Sequence, residues 1–159
     1  MADKSYDLED RLLDYAAQII GLTENLRVGS AAAHIGNQLL RAGTSPYLNH
    51  GEAEAAESRN DFIHKLSICL KELREAKRAL RLVKRVPLAR DLPAVDAALE
   101  ESDELIRIFA ASIRTARKRM TSKEQGFVYD SQILTSALDV ERSAFSVSSA
   151  ASTRATHEP

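Results

Sequence analysis

Between Ser58 and Pro87 the apolar residues recur at alternating steps of four and three, which is the spacing of one buried face of an α-helix. The members of this stripe are Phe62, Leu66, Cys69, Leu73, Ala76, Leu80 and Val83. Ser58, with an acidic residue three positions later, predicts an N-cap close to a capping box, and Val86-Pro87 predicts the end of the helix. A stripe of this length has to be covered by other helices.

Two segments before this helix show the same helical period. The first is expected to pack through Leu8, Leu12, Tyr15, Ile19, Leu22 and Leu26, with Leu13, Ala16 and Ile20 widening the stripe. Gly29-Ser30 then breaks it, and a second helix is predicted from near Ala31 through Ile35, Leu39 and Ala42. Pro46 should kink this helix because it lacks an N–H and its ring clashes with the preceding turn. Gly51 is the predicted end.

A fourth helix follows, with Asp91 as its N-cap and Pro93 in its first turn. Its stripe is expected to run through Val95, Leu99, Ser102, Ile106, Phe109, Ile113, Ala116 and Met120. Four helices with short connections predict an all-α fold, an up-down-up-down four-helix bundle over residues 1–120.

From residue 121 to residue 159 the composition shifts to Ser, Thr and Ala, and no heptad continues. We expect this low-complexity C-terminal tail to be mobile. Within it, the segment from Val128 to Val147 carries Ile133, Leu134 and Leu138, enough for a turn or two of amphipathic helix. Two interpretations stay open: an unstructured end, or a docking segment that orders on a neighbouring subunit or a partner.

The N-terminal sequence Met-Ala-Asp-Lys has no apolar signal segment, and no run approaches about 18 apolar residues. A cytoplasmic location without membrane contact is therefore expected. Cys69 is the only cysteine, so an intramolecular disulfide is excluded, and its place on the stripe favours a buried small hydrophobe over a nucleophile.

Residues that carry chemistry are scattered. The four histidines His34, His50, His64 and His157 share no metal-ligand spacing. Gly29, Gly36 and Gly43 lie seven apart without a following Gly-Lys-Ser, which favours close helix approach over a phosphate loop. We therefore predict no catalytic, cofactor or metal site, and no enzyme.

Asn49 and Glu52 share a helix face if the second helix persists beyond Pro46. One interpretation is a polar contact at a subunit interface or pore. The other is capping of the helix at the Gly51 break. The sequence does not decide between them.

Charge is the most informative surface property, because a formal net charge of -1 conceals strong local clusters. The strongest basic cluster consists of Arg74, Lys77, Arg78, Arg81, Lys84 and Arg85. In an up-down-up-down bundle these bases lie beside the acidic start of the fourth helix, and we expect Asp96, Glu100 and neighbouring acids to take them up. The alternative is a basic rim that holds a phosphate backbone. Few aromatic residues accompany it, so base stacking is not indicated.

The middle of the chain resembles a known family of small bacterial four-helix bundle proteins, first described from reading frames inside intervening sequences of 23S rRNA genes. The resemblance rests on the order and spacing of Arg41-Ala-Gly-Thr-Ser45, Asn49 with Glu52-Ala53, and Ser58 with Asp61-Phe-Ile-His-Lys-Leu66, after an opening Tyr6-Asp-Leu-Glu9. It extends from about Tyr6 to Arg119, and the chain departs from the family at Pro46-Tyr47-Leu48 and Ala79-Leu80.

Known relatives form cyclic pentamers, and some are accessory proteins of diversity-generating retroelements that bind a reverse transcriptase and nucleic acid. The resemblance thus implies a noncatalytic homo-oligomeric scaffold or interaction protein, with itself as partner. The alternative is a reverse-transcriptase accessory that binds RNA or DNA through the basic rim. On the third helix, Ile63 and Leu70 lie off the main stripe and are expected to pack against a second subunit.

Overall fold

The computed structural model describes residues 8–121, of which Met120 and Thr121 are described by their backbone only. Four helices make up this part of the chain: α1 (Leu8–Glu24), α2 (Ser30–Glu54), α3 (Arg59–Arg85) and α4 (Leu92–Thr121). Each helix packs on the next one along the chain, and α4 returns to α1. The predicted all-α, up-down-up-down bundle is confirmed. The tail predicted from residue 121 onward lies almost wholly outside the described residues, so its boundary stays a prediction.

The predicted starts of α3 and α4 are confirmed by their capping bonds. The Ser58 Oγ accepts a hydrogen bond from the Asp61 N–H at 3.1 Å, and the Asp91 Oδ1 accepts one from the Ala94 N–H at 3.0 Å. Each bond satisfies a backbone donor that the first turn of the helix leaves without a partner. At the other end of α3, Val86 is the C-cap, directly before Pro87.

The predicted end of α2 at Gly51 is wrong, because the helix continues through Pro46 and ends at Glu54. Pro46 removes one backbone hydrogen bond, but its ring is buried and contributes to the core. Ala53, beyond Gly51, is fully buried and extends the packed face of the helix. Burial of this last turn outweighs the helix-breaking tendency of a single glycine.

The core stripes of α1 and α3 follow the predicted register, and all seven predicted members on α3 are buried. On α4 the prediction is wrong at two positions: Ala98 and Leu105 occupy the core, whereas Leu99 and Ile106 are half-buried beside it. Ser102 and Ser112 can share this buried face because their hydroxyls donate to the Ala98 and Ile108 carbonyls at 2.7 and 2.9 Å. A seam made partly of Ala and Ser is hard to locate from hydrophobicity alone.

Two expectations about the flanks of the helices also need correction. Leu13 and Ile20 do not widen the core stripe of α1, since each is 46% exposed. Ile63, expected to face a second subunit, is buried inside the bundle, and Leu70 packs half-buried against the same core. On these two helices the large exposed apolar side chains are therefore Leu13 and Ile20 of α1 and Leu82 of α3.

The glycines of α2 allow α1 to approach closely, as predicted. A Cβ atom added at Gly43 would lie 2.6 Å from Cγ2 of Ile19, and one at Gly36 would lie 3.0 Å from Cδ1 of Leu26. A methyl group does not fit at the first distance without movement of the neighbouring helix. Gly29 has another role: its φ of 155° lies in a region that favours glycine, and it forms the N-cap of α2.

Candidate interaction surfaces

Ion pairs join α3 to α4. The Lys84 Nζ lies 2.5 Å from the Asp96 Oδ1, and Lys77 pairs in the same way with Asp103. The two lysines are seven residues apart on one helix and the two aspartates seven apart on its antiparallel neighbour, so the pairs repeat along the seam. Two of the six predicted rim residues, Lys77 and Lys84, thus form ion pairs within the bundle, as expected.

The four arginines of the predicted rim behave differently. Arg74, Arg78, Arg81 and Arg85 are exposed, and the structure shows no ion pair between any of them and another residue of the range 8–121. The expectation that nearby acids take them up is therefore wrong for these side chains. They lie at steps of four, three and four, on the side of α3 opposite its core stripe.

Lys71 extends this row by one step at its N-terminal end and is also exposed. We call the five residues Lys71, Arg74, Arg78, Arg81 and Arg85 the basic stripe. Its length along the helix is about 21 Å. Leu82, 49% exposed, lies beside it.

The acids on the α2 side of α3 do not neutralise the basic stripe, because an arginine from α2 covers them. The Arg41 guanidinium lies 2.5 Å from the Glu75 carboxylate and 3.6 Å from that of the buried Glu72. Glu72 and Glu75 therefore pair with Arg41 and not with the basic stripe.

Asn49 and Glu52 both lie inside α2, since the helix does not end at Gly51. The Asn49 amide donates to the Ser45 carbonyl and hydroxyl oxygens, each at 3.0 Å. The Glu52 carboxylate accepts from Lys65 of α3 at 2.5 Å, and this hydrogen bond raises the pKa of Lys65. Both side chains have partners within the subunit, and a role for them between subunits stays a prediction.

The histidines and the cysteine do not converge. His34 and His64 are exposed on different helices, whereas His50 is buried edge-on against Phe109, with ring centroids 6.3 Å apart. His157 lies outside the described residues. Among residues 8–121 there is no group of three His, Cys, Asp or Glu side chains that could hold a metal ion.

Cys69 is buried at the α2–α3 seam, where its thiol donates to the Pro46 carbonyl at 3.5 Å. Burial raises the pKa of this thiol to about 12. The thiolate is the nucleophilic form of cysteine, so this environment suppresses its reactivity at neutral pH.

Sequence reasoning missed an exposed apolar surface along α1 and α2. Leu13 and Ile20 each follow a buried residue of α1 and so lie about 100° around the helix from the core stripe. Leu40 and Leu48 of α2 are 37% and 62% exposed. The close approach of Gly43 to Ile19 fixes the antiparallel register of α1 and α2, and Leu26, just after α1, lies against Gly36.

In that register, Leu13 stands level with Leu48, and Ile20 stands close to the level of Leu40. We call these four residues the apolar strip. The signal in the sequence was present but ambiguous, because an apolar residue next to a core position can widen the core or face outward.

No helix among the described residues combines the length and apolarity needed to cross a membrane.

Comparison with known proteins agrees with the resemblance read from the sequence. The chain matches the family described as 23S rRNA-intervening sequence protein over residues 6–111. It is also similar to the crystal structure of a protein with unknown function from the S23 ribosomal protein family of Bacteroides thetaiotaomicron. The two are 32% identical with a TM-score of 0.60, and the match covers 67% of this chain and 98% of that one. No curated protein matches. Because the family match covers most of the chain, the protein belongs to the 23S rRNA-intervening sequence protein family.

Proposed function

We propose that the protein is a noncatalytic, cytoplasmic scaffold or interaction protein that assembles with copies of itself through the apolar strip. The observation that carries this proposal is the exposure of Leu13, Ile20, Leu40 and Leu48 at matching levels of two adjacent helices. Large exposed apolar side chains that recur on two adjacent helices favour a protein–protein interface, because single scattered ones are common on monomeric proteins.

The resemblance implies a ring, most simply a pentamer. A strip on one edge of the bundle that meets a different edge of the next copy forms a heterologous contact, and such contacts close into rings when the rotation between copies divides a full turn. A pentamer would bring five basic stripes into one assembly and sum their fields.

Sedimentation equilibrium at micromolar concentration tests the assembly directly. We expect a mass that is a multiple of the 17.5 kDa chain. Leu13→Glu with Leu48→Glu should shift the protein toward the monomer, because two carboxylates would be buried without partners at the contact. Val28→Glu is the matched control, since Val28 is 98% exposed in the α1–α2 connection and outside the strip. A monomeric wild-type protein contradicts the proposal.

A second candidate function is an accessory protein of a reverse transcriptase that binds RNA or DNA. The observation that favours it is the basic stripe, whose four arginines have no ion pair within residues 8–121. Exposed Lys and Arg side chains along one face bind phosphates without reading sequence, and the affinity then falls steeply with salt.

Filter binding across a salt series tests this candidate. Wild-type protein should bind a duplex probe at low salt, with a log–log slope that reflects several neutralised phosphates. Arg78→Glu with Arg81→Glu should abolish binding, whereas the control Arg90→Glu with Arg114→Glu, two exposed arginines away from the stripe, should retain it. Equal losses of binding in the stripe variant and in the control variant would indicate nonspecific charge attraction without a defined site.

A further inference from the structure

The tail contains a segment whose charge complements the basic stripe. Between residues 124 and 141 the chain has four acidic residues, Glu124, Asp130, Asp139 and Glu141, and no Lys or Arg. The basic stripe has five positive residues and no acid in its row. The same segment carries apolar side chains, among them Phe127, Ile133 and Leu134.

The geometry of the bundle brings the start of the tail to the beginning of the basic stripe's helix. The pairs of Lys77 with Asp103 and of Lys84 with Asp96 fix the antiparallel register of α3 and α4. In this register Thr121, the last residue of α4, stands level with Arg59, the first residue of α3. The tail therefore begins at the same end of the bundle as α3. From this end α3 runs toward the basic stripe.

Distances allow the acidic residues to reach the stripe. Lys71 lies about 18 Å along α3 from Arg59. The nine residues from Thr121 to Asp130 span up to about 30 Å when extended. The eleven residues from Asp130 to Glu141 span at most about 36 Å when extended, and about 16 Å as a helix. Either length is comparable with the stripe itself, about 21 Å from Lys71 to Arg85.

We propose that residues 124–141 dock on the basic stripe of their own chain. The three carboxylates of Asp130, Asp139 and Glu141 lie against the positive side chains of the stripe, and an apolar side chain of the segment covers the exposed Leu82. Single exposed ion pairs contribute little, but the covalent link gives the segment a high effective concentration at the stripe.

Docking of this kind makes the segment a built-in competitor of any external polyanion. A nucleic acid would have to displace the acidic segment before it could contact Arg78 or Arg81. This consequence rests on the second candidate function, whereas the docking itself does not depend on it.

Zero-length carbodiimide cross-linking of the full chain, followed by peptide mass spectrometry, tests the docking. The reagent joins a lysine amine to a carboxylate in direct contact, and the bundle contains three positive controls: Lys65 with Glu52, Lys77 with Asp103, and Lys84 with Asp96. We expect an additional cross-link from Lys71 to Asp130. In the charge-conserving variant Arg78→Lys with Arg85→Lys, the new lysines should cross-link to Asp139 or Glu141.

Salt provides a second readout. The tail cross-links should fall severalfold as salt increases, because the screening length shrinks from about 30 Å at 0.01 M to about 3 Å at 1 M. Control cross-links without tail cross-links, or tail carboxylates joined mainly to lysines away from α3, would overturn the proposal. In a mixture of isotopically light and heavy protein, tail cross-links that join one light and one heavy chain would overturn docking on the same chain.

The competition is tested separately with the variant in which Glu124, Asp130, Asp139 and Glu141 become amides. We expect this variant to bind a duplex probe roughly tenfold more tightly than wild type at low salt, because no segment has to be displaced. Unchanged binding by the variant would overturn the competition. If neither protein binds nucleic acid, the second candidate function fails, and the cross-linking still decides the docking.

Discussion

The inner faces of α2 and α3 pack against each other, yet they are built in opposite ways. α3 fills the core with large side chains such as Phe62, Leu66 and Leu73, all almost fully buried. The buried row of α2 instead consists mainly of alanine, glycine, proline and histidine. Its members are Ala32, Gly36, Leu39, Ala42, Gly43, Pro46, His50 and Ala53. One helix inserts side chains, and the other lets its neighbours come close. A hydrophobicity pattern reveals the first kind of face and understates the second.

The largest expected effect comes from the inserting face. Leu73→Ala removes a fully buried side chain and leaves a cavity, so the free energy of unfolding should fall by roughly 2 to 5 kcal/mol. Chemical denaturation with an unchanged m-value measures it. A fall in the free energy of unfolding below about 1 kcal/mol would show that the core closes around the missing side chain. The large side chains of α3 would then not be the main source of core stability.

A somewhat smaller effect is expected on the face that permits close approach. Gly43→Ala places a methyl group where Ile19 now stands, 2.6 Å from the nearest carbon, and should destabilise the bundle by about 1 to 3 kcal/mol. Gly51→Ala is the matched control in the same helix, because nothing lies within 4 Å of an added Cβ there. That substitution should stabilise by about 0.5 to 1 kcal/mol through helix propensity. The melting temperatures of the two variants should shift in opposite directions, and shifts of the same sign would show that Gly43 is not closely packed against Ile19.

Most of the fold could be predicted from the sequence because local patterns determine most of the helices. Heptads of large residues and the caps at Ser58 and Asp91 determine helices locally, so the order of the four helices and the stripe of α3 were readable. The α4 seam at Ala98 and the end of α2 were misread, because packing against neighbours overrides local signals there. At the surface, the arginines could be counted, but which of them have ion-pair partners depends on the register between α3 and α4.

The seam between α1 and α4 contains a third kind of contact, a buried hydrogen bond between side chains. The Tyr15 hydroxyl and the Ser102 hydroxyl lie 2.8 Å apart, and both residues are buried. Tyr15→Phe should cost about 1 kcal/mol at neutral pH, since Ser102 keeps its bond to the Ala98 carbonyl. Urea denaturation measures this cost.

The same variant should change the response to alkali. Burial raises the pKa of Tyr15 from 10.0 to about 12, so the unfolded chain loses this proton before the folded one. The contribution of the neutral phenol is fully present below pH 10.0 and is lost as the pH rises toward 12. Stability of the wild-type protein should therefore fall faster than that of Tyr15→Phe over this interval. Parallel pH profiles would place the hydroxyl in water and contradict its burial.

The smallest expected effect on stability comes from the exposed face of α3, which lies opposite its buried row. Arg81→Ala should change the free energy of unfolding by less than about 1 kcal/mol, because the side chain is exposed and has no ion pair within residues 8–121. Lys77→Ala is the matched control, since it removes a half-buried lysine that pairs with Asp103, and it should cost up to about 1 kcal/mol at low salt. Added salt should reduce the cost of Lys77→Ala and leave that of Arg81→Ala unchanged, because only the first variant loses a charge pair. A loss at Arg81 as large as that at Leu73 would mean that the register of α3 is shifted and that the basic stripe faces the core.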